Sequence, residues 1–144
     1  MEKKEPKSNK GNYLDGVLLI TPNIFEDERG YFYESWNQKN FNQIIQTNFL
    51  QDNHSTSFKG VLRGLHYQLN PYPQGKLVRC SLGRIFDVAV DLRIKSNTYK
   101  EWIGIELNSI NKLQLWIPRG FAHGFLTLSD IAEVQYKTTE YWFK

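Results

Sequence analysis

A chain of 144 residues, 40% hydrophobic and 23% charged, has the size of one domain and enough apolar content for a core of its own. The net charge of +3, with basic residues scattered beyond the first ten positions, argues against a nucleic-acid-binding stripe and suits a small anionic ligand. Cys80 is the single cysteine, so an intrachain disulfide is excluded; no apolar run reaches the length of a membrane span, and the expected location is the cytoplasm.

Residues 1–12 are polar and are expected to form a flexible tail, followed by a single domain over 13–144. From there short apolar or alternating runs predict strands at 16–20, 31–36, 48–53, 60–68, 76–82, 84–93, 101–107, 113–117, 123–128 and 132–138. Gly, Pro, Asn, Asp and Ser punctuate them, as in Asn70 to Gly75 and Pro118 to Gly120. One short helix is predicted at 38–45. An aromatic content of 15% fits β-structure, and many short strands at this spacing predict an all-β sandwich or barrel.

Two strands pose questions that periodicity leaves open. Over 84–93, alternation puts Phe86, Val88, Val90 and Leu92 on one face and Asp87, Ala89, Asp91 and Arg93 on the other. The carboxylate face is either a solvated exterior or a polar barrel interior. Over 61–68, Val-Leu-Arg-Gly-Leu-His-Tyr-Gln, a regular strand points Arg63 and His66 to opposite faces, whereas a bulge at Gly64 would bring both to one cavity. His66 is one of three histidines, and the imidazole is the side chain best placed to take and return a proton near neutral pH. Cys80 reads as a small core or interface side chain.

A second cluster, Leu-Trp-Ile-Pro-Arg-Gly-Phe-Ala-His-Gly-Phe over 115–125, has the Pro118-x-Gly120-x-x-His123 shape of a cupin strand-turn-strand. The earlier half reads His66-Tyr67-Gln68 rather than His-x-His, and two distant histidines make a poor metal site. Further motifs are Phe25-x-Asp27-Glu28-Arg29-Gly30, Gln51-Asp52-Asn53, Gln74-Gly75-Lys76-Leu77-Val78-Arg79 and Tyr136-Lys137-Thr138-Thr139-x-Tyr141. Taken in order with Gly60 to Gln68, these closely resemble the dTDP-4-dehydrorhamnose 3,5-epimerase family, a metal-free branch of the cupins. The resemblance implies a cupin-type β jelly-roll with one or two short helices, a homodimer with exchanged strands, no cofactor, and a dTDP-4-keto-6-deoxyhexose substrate on the route to an L-rhamnose-type sugar.

It also implies roles. His66 is the expected base and Tyr136 the acid, on opposite faces of a sugar whose C3 and C5 protons flank a ketone. Lys76 suits the enolate oxygen. Arg29, Glu34, Gln51, Asp52, Asn53, Arg63 and His123 match positions that hold nucleotide and sugar, and the guanidinium groups of Arg29 and Arg63 suit the diphosphate. The family pattern continues past the position of Lys144, carrying there an aspartate that orients the base; Asp87, if inward-facing, is this chain's candidate for that role. Trp142 stands where many members have a second tyrosine. Two other readings share the motifs: a non-catalytic nucleotide-sugar-binding cupin, and a keto-sugar isomerase. The isomerase branch usually has more histidines around the equivalent strand, and His66 as the single one there disfavours it.

Overall fold

The faces that alternation leaves undecided are settled by which residues pair across strands. The computed structural model describes residues 1–143, as β1 (Glu2–Lys4), β2 (Leu18–Thr21), β3 (Phe25–Asp27), β4 (Gly30–Phe32), α1 (Gln38–Phe41), β5 (Gln51–Phe58), β6 (Leu62–His66), β7 (Lys76–Leu82), β8 (Arg84–Asp91), β9 (Trp102–Asn108), β10 (Gln114–Ile117), β11 (Phe121–Thr127) and β12 (Ile131–Thr138). Two antiparallel sheets face each other, one ordered β1-β2-β10-β7-β12-β5 and one ordered β6-β11-β8-β9. Neighbours far apart in sequence, such as β2 with β10 and β5 with β12, give the crossed connections of a jelly-roll. β3 and β4 form a separate hairpin.

The core lies between the sheets. Val78, Cys80, Leu115, Ile117 and Val134 from the larger sheet meet Ile85, Ala89, Ile103, Leu107 and Phe125 from the smaller one. Each such residue is flanked by neighbours on the opposite face, and on β2, β10 and the start of β7 of the larger sheet those include Leu18, Ile20, Trp116 and Leu77, which are also apolar. Leu77 pairs with Trp116 and Trp116 with Leu18, building a second cluster with Ile20, Phe41 and Ile45 on the outside of the sheet. α1 exists to cover that outer face. Asn37 caps it by accepting from the Asn40 N–H at 3.2 Å, and Phe41 is its buried residue. The helix ends sooner than the predicted 38–45 because the burying residues Phe41, Ile44 and Ile45 need only one turn plus its continuation.

The expected tail is ordered. Glu2–Lys4 pairs with β2 at the sheet edge, and Ser8 Oγ donates to Glu101 Oε2 at 2.5 Å while Asn12 Nδ2 donates to Glu101 Oε1 at 2.9 Å. Glu101 is buried, so these polar residues satisfy a carboxylate that water does not reach. Composition hides this, because a backbone ladder on an edge asks nothing of side chains and the partner lies far along the chain. Domain bounds of 13–144 therefore exclude residues that pack against it.

β8 turns its carboxylate face inward. Ile85, Asp87, Ala89 and Asp91 are buried, whereas Phe86 is 36% exposed and lies over Gly104 on β9. Asp91 is matched by Arg93, Ser96 and Thr98 from the following loop. Asp87 sits deeper, among the site residues.

β6 carries the bulge. Arg63 pairs with Phe125 and His66 with His123, and the register between those pairs shifts by one residue. Cross-strand partners point to the same face, so Arg63 and His66 both look toward the larger sheet. Gly64 permits it: its φ is +115°, and a Cβ there would lie 2.6 Å from Gly124 Cα and 2.7 Å from the His123 carbonyl oxygen. Gly64→Ala combines positive-φ strain with backbone overlap and is expected to cost about 2–5 kcal/mol, read as a lowered urea midpoint.

Candidate active site

At one mouth of the sandwich the two sheets part, leaving a cleft of about 390 Å³ lined by Gln51, Asn53, Leu65, His66, Tyr67, Gln68, Gln74, Lys76, Tyr136, Trp142 and Phe143. Its two walls come from different sheets. β6 supplies His66 from the smaller sheet; β5, β7 and β12 supply Gln51, Asn53, Lys76 and Tyr136 from the larger. Tyr136 and Asn53 are cross-strand partners, so their side chains share the inward face.

Charge in the cleft is arranged for proton transfer. Burial, followed by the charges of Lys76, His123 and Arg63, lowers the pKa of His66 below the ordinary histidine value. The imidazole is thus neutral at pH 7 and able to accept a proton. Burial raises the pKa of Tyr136, with Arg63 opposing, so its phenol keeps its proton. Burial pushes Lys76 down to about 8 while the Asp87 carboxylate pulls the other way. A base, an acid and a titratable cation therefore face one space.

His123 lies behind this surface. It is 5% exposed, and its Nε2 is 2.7 Å from Asp87 Oδ1. Its ring is 6.4 Å from that of Tyr136 across the gap between sheets. Asp87 was the expected orienting partner of His66, and here the structure corrects the sequence. In the strand order β6-β11-β8, the strand bearing His123 stands between His66 and Asp87, so the carboxylate meets His123 first. The other oxygen, Asp87 Oδ2, is buried with no hydrogen-bond partner among the described residues.

Other expected ligands lie elsewhere in the chain. Asp52 alternates away from Gln51 and Asn53 to the outer face, where it pairs with Lys137 Nζ at 2.8 Å. Arg63 spans the sheets instead of lining the cleft: its Nε donates to Ser57 Oγ at 2.7 Å and its Nη2 to the Thr56 carbonyl at 3.2 Å, both on β5. Arg29 is exposed on the β3–β4 hairpin with its guanidinium on Asp27. Glu34 accepts from Asn37 and Asn40 at the start of α1. Among the described residues no three His, Cys, Asp or Glu side chains converge as metal ligands.

Several lining residues carried no expected role. Gln68 donates to the carbonyls of Tyr72 and Tyr141 and accepts from the Phe143 N–H. Gln51 accepts from the Trp142 N–H at 3.1 Å, and Phe143 stacks on Tyr72 with ring centroids 3.7 Å apart. These bonds bring the 141–143 segment over the cleft so that Trp142 and Phe143 form an aromatic wall. Gln68 and Gln74 both lay inside recognised motifs, and their position beside His66 and Lys76 was the available signal.

The family model described as dTDP-4-dehydrorhamnose 3,5-epimerase matches residues 12–144. The chain belongs to this family. It is 59% identical over 133 residues to the dTDP-4-dehydrorhamnose 3,5-epimerase of Shigella flexneri, covering 91% of this chain and 74% of that protein. The crystal structure of the 3,5-epimerase of Legionella pneumophila, solved with dTDP-4-keto-L-rhamnose, superposes with a TM-score of 0.89 at 46% identity, covering 99% of this chain and 74% of that one. A 3'-monoepimerase from Streptomyces bikiniensis, solved with dTDP-quinovose, aligns with a TM-score of 0.82 at 28% identity over 89% of this chain and 66% of that one. The 3,5-epimerase family is isomerase-class, and its cupin-like jelly-roll is the fold described above. No helix among the described residues is long and apolar enough to cross a membrane.

Proposed function

We propose that this chain epimerises a dTDP-4-keto-6-deoxy-D-glucose at C3, C5 or both, in the making of a dTDP-L-rhamnose-type sugar. The observation that carries this reading is the opposition of His66 and Tyr136, set on different sheets and facing one cleft that Lys76 also lines. The C4 ketone acidifies the protons on C3 and C5. His66 removes one, the Lys76 ammonium stabilises the negative charge that moves onto the C4 oxygen, and Tyr136 returns a proton to the opposite face. No electron leaves the sugar, so the step needs no redox partner. Gln51 and Asn53 offer amide groups to the nucleotide or sugar, His123 bounds the site from behind, and Arg63 holds the diphosphate side positive. Trp142 supplies a stacking surface.

The functional unit is a homodimer in which the β3–β4 hairpin carries Arg29, and the segment between β4 and α1 carries Glu34, to the cleft of a second copy. Phe25 and Phe32 support this, being more than 60% exposed on a hairpin that joins neither main sheet. The expected location remains the cytoplasm.

The test is incubation with dTDP-4-keto-6-deoxyglucose in D₂O, followed by NMR. Deuterium is expected at C3, at C5 or at both, and the rate is expected to fall as pH rises through about 8, where Lys76 loses its charge. Bound ligand without exchange at either carbon identifies a non-catalytic binding protein instead.

A further inference from the structure

The chain that forms β4 and runs on toward α1 treats alternate residues differently. Tyr31, Tyr33 and Ser35 each meet the body of the protein. The Lys112 ammonium stands 3.7 Å from the centre of the Tyr31 ring, Arg79 Nη1 donates to the Tyr33 hydroxyl oxygen at 3.1 Å, and Gln114 Nε2 donates to the Ser35 carbonyl at 2.9 Å. Phe32 and Glu34, which lie between them, are exposed and line one hollow with Phe25.

The three anchors belong to one surface. Gln114 on β10 and Arg79 on β7 are cross-strand partners, and Arg79 is in turn the partner of Gln135 on β12, to whose amide oxygen its Nη2 donates. Cross-strand partners share a face. That face is the outer one, because Gln114 also pairs with Ile20 of the outer apolar cluster, while the adjoining Leu115 and Val78 belong to the core. Lys112 lies two residues before Gln114 and is buried, and its Nζ donates to the Ser109 carbonyl at 2.6 Å, which fixes the ammonium beside the Tyr31 ring. A desolvated cation against an aromatic face is among the stronger contacts open to a hairpin that joins neither main sheet.

We propose that Lys112, Arg79 and Gln114 are positioning residues: by holding residues 31, 33 and 35 as a row, they set the direction in which Arg29, Phe32 and Glu34 are presented to the cleft of a second copy. The delivery rests on the homodimer reading above; the grip on the segment does not. Arg29 lies two residues before Tyr31, at most about 7 Å along the backbone, so a tilt at Tyr31 passes to the guanidinium with little slack. A displaced Arg29 weakens the hold on the nucleotide diphosphate and leaves the groups that move protons untouched. Affinity then falls while the rate at saturation stays.

The experiment is ¹⁹F NMR of protein labelled with 3-fluorotyrosine, the Tyr31 and Tyr33 signals assigned by their loss in Tyr31→Phe and Tyr33→Phe, read beside dTDP affinity by calorimetry. Lys112→Met keeps the apolar stem and removes the charge. It is expected to shift both signals, Tyr33 included because the row holds the segment as a unit. It is also expected to weaken dTDP binding about tenfold, the scale of a desolvated cation–π contact. Deuterium exchange at saturating keto-sugar stays within about twofold of wild type. Lys112→Arg, which keeps a cation at the ring, restores the signals and the affinity. If Lys112→Met does not fold, Tyr31→Leu removes the same contact from the other side, with Tyr33 as the reporter. An unmoved Tyr33 signal overturns the proposal, and so does unchanged dTDP affinity in a dimer whose tyrosines have shifted. Wild-type protein that light scattering finds monomeric overturns the homodimer reading alone, and the Tyr33 signal still decides whether the row holds the segment.

Discussion

His66→Asn is expected to lose deuterium exchange at C3 and C5 by about 10²-fold or more, the usual size of a general-base contribution, while still binding dTDP. Asparagine preserves the approximate shape and polarity of the imidazole but offers no basic nitrogen. The exposed bulge position of His66 makes the change structurally mild, since no core residue packs through it. Stability is therefore expected to stay within about 0.5 kcal/mol of wild type, as at other exposed sites. Exchange rates measured by NMR and dTDP affinity measured by calorimetry separate the outcomes. Retained exchange removes His66 from the base role. Loss of binding along with exchange makes it a ligand contact instead.

Lys76→Met is expected to act in opposite directions on activity and on stability. A buried ammonium whose pKa falls from 10.5 to about 8 is charged in both folded and unfolded chains at pH 7, and the folded state bears the desolvation. At about 1.4 kcal/mol per pH unit, that difference is on the order of 3 kcal/mol. The unfolded chain binds more protons between pH 8 and 10.5, so wild-type stability rises across that window. Methionine keeps the apolar stem and removes the charge, so it is expected to raise stability at pH 7 by about 1–3 kcal/mol, with the gain shrinking toward pH 10.5. Exchange is expected to fall about 10²–10³-fold, as when a preorganised stabiliser of a developing oxyanion is removed. Urea midpoints at pH 7 and pH 10, beside exchange rates, check both halves. A destabilised Lys76→Met would mean that the lysine contributes to packing rather than costing desolvation.

Motif chemistry was more legible in the sequence than the faces of strands. The interval 76–82 coincides with β7, whose Leu77, Val78, Cys80 and Leu82 give a short apolar run bounded by the turn residues Gly75 and Gly83. β5 was cut short at 53, although it runs to Phe58, because Asp52 to Ser57 is polar on both faces and shows no hydrophobic period. The eight-residue ladder with β12 holds it, and ladder partners are invisible along a single strand. His66, Lys76, Tyr136, Gln51 and Asn53 converge because their motifs come from strands that the jelly-roll stacks at one mouth. Asp52 misled for the simplest reason, a period of two inside a three-residue motif. Asp87 misled for a subtler one: its inward face was an open alternative, but the identity of its partner depends on strand order. The partners of residues 1–12 lie at Glu101 and β2, which no local pattern signals.

The acid and the base are held on separate sheets, joined near the cleft by the Arg63 bonds to Ser57 and Thr56. Removing a proton and returning one from the far side are thus duties of two bodies whose spacing is set by the packing of the interior. A looser sandwich would still let His66 strip a proton, exchange it with solvent and return one to the same face, while Tyr136 delivered less often. Washout of label without inversion is the chemical signature of that slackening. The ratio of the two outcomes makes stereochemistry a ruler for how tightly the halves of the barrel are drawn together.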